Sequence, residues 1–294
     1  MTATLFALFG GRGKPPRRWD GAIGTELIAR GLELGREPPE AWSLRRPDEV
    51  RALHARYVEA GAEVLQTNTF GASRPRLAAS GLERELFAVN LAGVTLAREA
   101  GAQVVVASLG PTGIDPNRET ARAIEDAYAE QVAALAEAHA DGLHFETMYH
   151  PVEAVAAIAA ARRAAPHLPV IVSFTCALGD IGYQTPLGVT LLQMVDAIAG
   201  AGPDAIGINC SLEARRMLGP LRALRERTDL PILVRPQAGA PSVGCKGDFK
   251  GDTPERFARD AQKLVLDGAD AVGGCCGAGP LYIAALAHAL AETR

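Results

Sequence analysis

No apolar run in this chain of 294 residues approaches the ~20 needed to span a bilayer, which removes membrane-spanning functions. The opening Thr4-Leu5-Phe6-Ala7-Leu8-Phe9 is apolar but short. It has no basic residue before it and runs into Gly10-Gly11-Arg12-Gly13, so it does not read as a secretory signal. Charge of one sign is lacking too. Lys and Arg number 30 against 34 Asp and Glu, a formal charge of -4, which is too small an imbalance to offer nucleic acid a footprint. The one tight basic cluster, Lys14, Arg17 and Arg18, reads as a solvated N-terminal turn. Cysteine is scarce: five residues, an odd number, two of them adjacent. That excludes a disulfide framework and points to a reducing, cytoplasmic setting in which thiols serve a metal or a reaction. The six histidines show no metal-ligand spacing, and no linker, low-complexity tract or charge run divides the chain. The expectation is one domain, residues 1–294, with 1–16 as an N-terminal extension.

What is present is an alternation. Short β-type runs take turns with long stretches rich in Ala, Leu, Glu and Arg. Strands are expected at Arg17–Asp20, Glu63–Asn68, Gln103–Leu109, Leu143–Thr147, Pro169–Thr175, Ala205–Cys210, Pro231–Arg235 and Ala269–Gly273. The fifth is almost wholly apolar or β-branched, as suits a parallel strand covered on both faces. A long helix is expected from about Glu119 to Ala140, where alanine is abundant. Gly61, Gly101, Gly202 and Gly268 stand just before strands, as helix C-caps would. Eight strands, each followed by helical sequence, predict a (β/α)₈ TIM barrel of the α/β class.

In that fold the functional residues gather where strands end. Asp20 closes the first strand, Asn68 the second and Glu146 the fourth; Cys210 closes the sixth, and Cys275 and Cys276 follow the eighth. The adjacent cysteines cannot easily bond to each other, because a vicinal disulfide strains the peptide between them. They can point two sulfurs at one ion, and Cys210 would complete a three-sulfur face. Soft sulfur ligands favour Zn²⁺, and three protein ligands leave one tetrahedral position open for a reactant. The plainer reading of the pair is two small buried hydrophobes at a tight turn.

The motifs Asp20-Gly21-Ala22-Ile23-Gly24-Thr25-Glu26, Gln66-Thr67-Asn68-Thr69-Phe70-Gly71-Ala72, Gly110-Pro111-Thr112-Gly113, Phe145-Glu146-Thr147, Gly207-Ile208-Asn209-Cys210-Ser211 and Gly273-Gly274-Cys275-Cys276-Gly277 carry a resemblance. The chain resembles the zinc-dependent homocysteine S-methyltransferases, above all the homocysteine-binding module of cobalamin-dependent methionine synthase. The likeness runs from about residue 17 to 290. It implies zinc on Cys210, Cys275 and Cys276, a homocysteine thiol activated as the zinc-bound thiolate, and methionine as product. Asp20 and Glu146 would hold the substrate ammonium, the backbone at Gly21 and Ala22 its carboxylate, with Asn68 and Thr69 as further contacts.

Departures from the family pattern bear on the methyl donor. Pro236-Gln237-Ala238-Gly239 stands where the family often has Pro-Asn-Ala-Gly, and Gly244-Cys245-Lys246-Gly247-Asp248-Phe249-Lys250 is idiosyncratic. A free-standing enzyme would use a small sulfonium or ammonium donor such as S-methylmethionine, S-adenosylmethionine or betaine. A split system would receive the methyl group from a separate cobalamin-binding protein. This chain has no Asp-x-His-x-x-Gly cobalamin motif and, at this length, no expected folate or cobalamin domain. A non-catalytic zinc or thiol-binding barrel is a third reading. Asp20 and Glu146 also admit roles as a turn cap and a helix-start carboxylate, and Asn68, Thr69 and Asn209 as turn or supporting groups. Cys176 is expected in the core or rim, and Cys245 as a bystander.

Overall fold

The computed structural model describes residues 3–10, 14–239 and 251–292. Eight parallel strands form the barrel: β1 (Arg17–Arg18), β2 (Val64–Gln66), β3 (Val104–Leu109), β4 (Gly142–Met148), β5 (Val170–Phe174), β6 (Ala205–Glu213), β7 (Ile232–Gln237) and β8 (Ala271–Val272). Their order is β1-β8-β7-β6-β5-β4-β3-β2, and the parallel bridge Trp19–Val64 closes the ring. Each strand leads to a helix on the outside, so the expected (β/α)₈ barrel is the observed one.

Local chemistry sets the helix ends. Thr120, Thr190 and Thr253 accept hydrogen bonds from the backbone N–H three residues on. The long helix therefore begins at Ala121 rather than Glu119, and it ends at Glu137, short of the expected Ala140. Gly61 follows the helix Pro47–Glu59 at φ 90°, a left-handed turn that a side chain would strain, and lets Ala62 N–H return to Tyr57 O. β1 and β8 are shorter than expected, and β6 runs past Cys210 with a register break between Asn209 and Glu213. A small antiparallel hairpin, Ala177–Gly179 with Gly182–Gln184, follows β5 and has no counterpart in the sequence reading. Arg17 and Arg18, read both as the first strand and as part of a solvated basic cluster, stand in β1, and both pair with Glu63.

Strand side chains alternate between the two faces of the barrel wall. Leu143, Phe145, Val170, Val172, Ile232 and Val234 face outward and join the large core under the helices. Val64, Val106, Ile171, Ala205, Leu233 and Ala271 face inward, near the strand starts, in one cluster with Leu5, Leu8, Phe9 and Trp19. The helix Ala3–Phe9 therefore plugs the N-terminal end of the barrel. Trp19 Nε1 donates to Leu8 O at 3.0 Å and fastens it there. Two residues further along the inward lines the character changes to Gln66, Ser108, Ser173, Gly207 and Arg235, with His144 and Glu146 on β4. Of these, Gln66, Ser108, Glu146 and Arg235 line the mouth.

Candidate active site

The β4 side of the mouth is a hydrogen-bonded chain that fixes one carboxylate. Gln66 Nε2 donates to His144 Nδ1 at 2.9 Å and to Glu146 Oε1 at 2.8 Å. Because Nδ1 accepts, the proton of His144 resides on Nε2 and points to Ser173 Oγ at 2.7 Å. Burial holds His144 well below its ordinary pKa, and the nearby Arg235 adds to this, so the ring is neutral. Ser108 Oγ donates to Glu146 Oε1 at 2.5 Å, while Asn209 Nδ2 lies 3.4 Å from Oε2. Burial raises the pKa of Glu146 against the opposing pull of Arg235.

Across the mouth, Asp20 and Arg235 form a buried ion pair. Arg235 Nη1 donates to Asp20 Oδ1 at 3.0 Å and Nη2 to Gly21 O at 3.2 Å. Asp20 Oδ2 accepts from Gln66 N–H at 2.7 Å. Complete burial pushes Asp20 up to about 6, with Arg235 opposing the rise. Arg235 is a cavity-wall residue that the sequence reading did not single out. Its signal was parity: it is two residues beyond the inward-facing Leu233, hence inward-facing, directly after the apolar run Ile232 to Val234.

The three sulfurs meet between β6 and β8. Those of Cys210, Cys275 and Cys276 lie within 4.8 Å of one another, with Cys210 and Cys276 at 3.5 Å. Tetrahedral zinc, with Zn–S near 2.3 Å, spaces its sulfurs at about 3.8 Å, so the cluster has the dimensions for one ion. Hydrogen bonds from Cys275 and Cys276 hold the Cys210 thiol far below its ordinary value, at about 3. The shared hydrogen bond with Cys210 pushes Cys275 up to about 12, and Cys276 moves in the same direction. One negative charge is thus accommodated easily and further charge is resisted, which a divalent cation would relieve. The cluster is a donor set suited to a soft metal.

Backbone geometry at the sulfurs is unusual. Cys210 and Ser211 have φ of 60° and 56°, left-handed values of order 1 kcal/mol unfavourable for residues with a side chain. Asn209 braces this turn: its Oδ1 accepts from Thr147 N–H and its Nδ2 donates to Thr147 Oγ1, both at 2.8 Å. Ser211 Oγ meets Thr175 Oγ1 at 2.6 Å. Glycines let the first and last loops touch. A Cβ on Gly21 would sit 1.9 Å from Ala278 O, and one on Gly274 2.5 Å from Ala278 Cβ. The Asp-Gly and Gly-Gly-Cys-Cys motifs are therefore one packed unit.

A cavity of about 290 Å³ occupies the mouth, and its walls include Gly21, Ala22, Asn68, Thr69, Glu146, Arg235 and the three cysteines. Asn68 donates to Pro39 O and Ser43 Oγ, and Thr69 Oγ1 to Ser108 O, so both are also tied to neighbouring loops. Ala22 N–H is taken by Ala278 O at 3.0 Å. Asp20 is not on the cavity wall; its neighbour Arg235 is. Cys176 is buried in the main core, where burial raises its thiol to about 12. Cys245 and the loop 244–250 lie outside the described residues.

Residues 19–290 match the family model for homocysteine S-methyltransferase. The methionine synthases of Mycobacterium leprae and Mycobacterium tuberculosis are each 31% identical to this chain, over 93% and 94% of it. The chain spans about a quarter of their length, 24% of each. Among solved structures it is similar to the homocysteine methyltransferase MmuM from Escherichia coli. The metallated form superposes with a TM-score of 0.77 and 28% identity, covering 94% of this chain and 97% of that one. The oxidised form gives 0.78 and 28%, covering 97% and 99%. Among the described residues no helix is long and apolar enough to cross a membrane.

Proposed function

The chain belongs to the homocysteine S-methyltransferase family, and from that premise we propose that it moves a methyl group onto the thiol of homocysteine to give methionine. One arrangement carries this reading. The sulfurs of Cys210, Cys275 and Cys276 open onto the same cavity as the buried carboxylate of Glu146. Homocysteine carries a thiol and an ammonium on one short chain, and the cavity wall offers a group for each.

Zinc held by the three cysteines would supply the ionisation of an incoming thiol, which at a free pKa of about 8.5 is only a few per cent thiolate at neutral pH. Glu146 holds the ammonium. Its Oε1 is fixed by Gln66 and Ser108, while Oε2, with only the longer 3.4 Å contact from Asn209 Nδ2, is the side that meets the ligand. Anchoring both ends of the acceptor points its sulfur at the donor, and such positioning supplies much of the rate. A sulfur lone pair forms the new S–CH₃ bond as the donor's bond to that carbon breaks, and the bonding pair leaves with the donor.

The donor is read as a small sulfonium or ammonium compound, of the S-methylmethionine, S-adenosylmethionine or betaine kind. Glu40 supports this: it is buried, its Oε1 accepts from Gly71 N–H at 2.6 Å, and it lines the cavity, as does Phe70. A carboxylate and an aromatic face suit a methylated cation. The likeness to the Escherichia coli homocysteine methyltransferase over nearly its whole length supports homocysteine as the methyl acceptor. The likeness to a quarter of methionine synthase favours the second reading, a homocysteine-activating component served by a separate cobalamin-binding protein.

A donor screen separates the two, with zinc-loaded protein, homocysteine and each candidate donor in turn. Turnover with a small cation alone is the expected result; turnover only with methylcobalamin or a corrinoid protein selects the second reading. No methionine from any donor overturns both. Cys275→Ala should lose bound zinc, measured by elemental analysis, together with at least 10³-fold in turnover. Full zinc and full activity in that variant would remove Cys275 from the site.

A further inference from the structure

An α-amino acid brings a cation and an anion into the cavity, and the mouth must answer both. Glu146 answers the cation. Among the described cavity walls one residue is cationic, Arg235. Its guanidinium makes two hydrogen bonds to protein, one from Nη1 to Asp20 Oδ1 and one from Nη2 to Gly21 O. The Nε N–H is buried and has no partner among the described residues, and each Nη keeps a second N–H. Asp20, by contrast, has both oxygens engaged, is fully buried and lies off the cavity wall. The backbone alternative is weakened at Ala22, whose N–H is already bonded to Ala278 O.

We infer that Arg235 recognises the α-carboxylate of the acceptor, and that Asp20 is a positioning residue which aims the guanidinium rather than a ligand of the ammonium. This deepens the homocysteine reading and rests on it. The pieces fit as a unit. Gln66 donates its backbone N–H to Asp20 and its side-chain amide to Glu146, so one residue of β2 fixes the supports of both charged contacts. Trp19 closes the space behind, with Arg235 Cζ 5.8 Å from its ring centroid. The guanidinium can move little, and its planar fork is suited to a carboxylate.

The test measures binding of three thiols to zinc-loaded protein by calorimetry: homocysteine, aminopropanethiol, which lacks the carboxylate, and sulfanylbutanoate, which lacks the ammonium. Arg235→Gln should weaken homocysteine and sulfanylbutanoate at least tenfold and leave aminopropanethiol within about twofold. Asp20→Asn should follow the same selectivity with a smaller loss, because an unpinned guanidinium still carries its charge. Glu146→Gln should do the reverse, sparing sulfanylbutanoate alone. Should the single variants fold poorly, the neutral pair Asp20→Asn with Arg235→Gln removes the uncompensated charge and is held to the Arg235→Gln pattern. An equal loss for all three thiols in Arg235→Gln or in the neutral pair overturns the assignment, as does an Asp20→Asn loss confined to the ammonium-bearing thiols. Wild-type protein that binds none of the three overturns the acceptor reading itself, a result distinct from either.

Discussion

The two ends of the barrel are built from the same strands and have opposite characters. At the N-terminal end Leu8, Phe9, Trp19, Val64, Ile171 and Leu233 pack together without a buried charge among them. At the mouth, two residues along the same strands, Asp20, Glu146, Arg235 and the neutral His144 are all buried with the three thiols beside them. The first arrangement gains free energy from excluding water, roughly 1.5–3 kcal/mol per large side chain. The second spends stability to hold charges in fixed positions, and it tolerates left-handed φ at Thr147, Cys210 and Ser211. An apolar floor lets a polar mouth be built on it. A closed barrel can carry strain at one end because the other end holds the strands in register.

The comparison breaks if damage at one end reads out at the other. Phe9→Ala, a fully buried ring in the plug, should cost about 3–5 kcal/mol in urea unfolding and leave the homocysteine KM within about twofold. A large change in KM would mean that the plug tunes the mouth. Asn209→Ala should be milder in stability, near 1–2 kcal/mol, yet weaken zinc retention about tenfold or more, because the brace on the Cys210 turn is gone. Unchanged zinc affinity would leave that turn held by Ser211 and Thr175 alone.

The smallest effect concerns pH. Burial holds the folded-state pKa of His144 well below its unfolded value, so the unfolded chain takes the proton first. Its contribution is present above about 6.5 and is lost as pH falls below that value. His54, buried and lowered to about 4, adds a slope of the same sign. Asp20, raised to about 6, opposes both, since the folded state binds its proton more tightly there. Melting temperatures at pH 7.5 and 5.5 should therefore converge partly in His144→Gln and keep the wild-type difference in Leu8→Ala. Equal differences in all three proteins would relocate the acid sensitivity away from the mouth.

Much of this was legible in the chain. Eight strands could be marked because an apolar run bounded by Gly or Pro reads the same wherever it ends up. The three cysteines could be joined before any coordinates because parallel strands in a barrel end on one rim. The hairpin at 177–184 was missed because it carries no apolar alternation: Ala177, Leu178 and Gly179 are exposed. The setting of Asp20 was legible only in part. Its position at a strand end was visible, but its partner Arg235 lies 215 residues away and nothing local marks the pair.

The sequence by itself determined the barrel, its eight-fold alternation and the meeting of three thiols, since periodicity and strand-end position are properties of local order along the chain. Only the tertiary structure decided that Arg235 stands between Asp20 and the cavity, that Gln66 links His144 to Glu146, and that the N-terminal helix is a floor rather than a tail. Those depend on which side chains from distant strands share one small buried volume. There a hydrogen bond or an ion pair is strong because water is excluded, and no window along the chain records that exclusion.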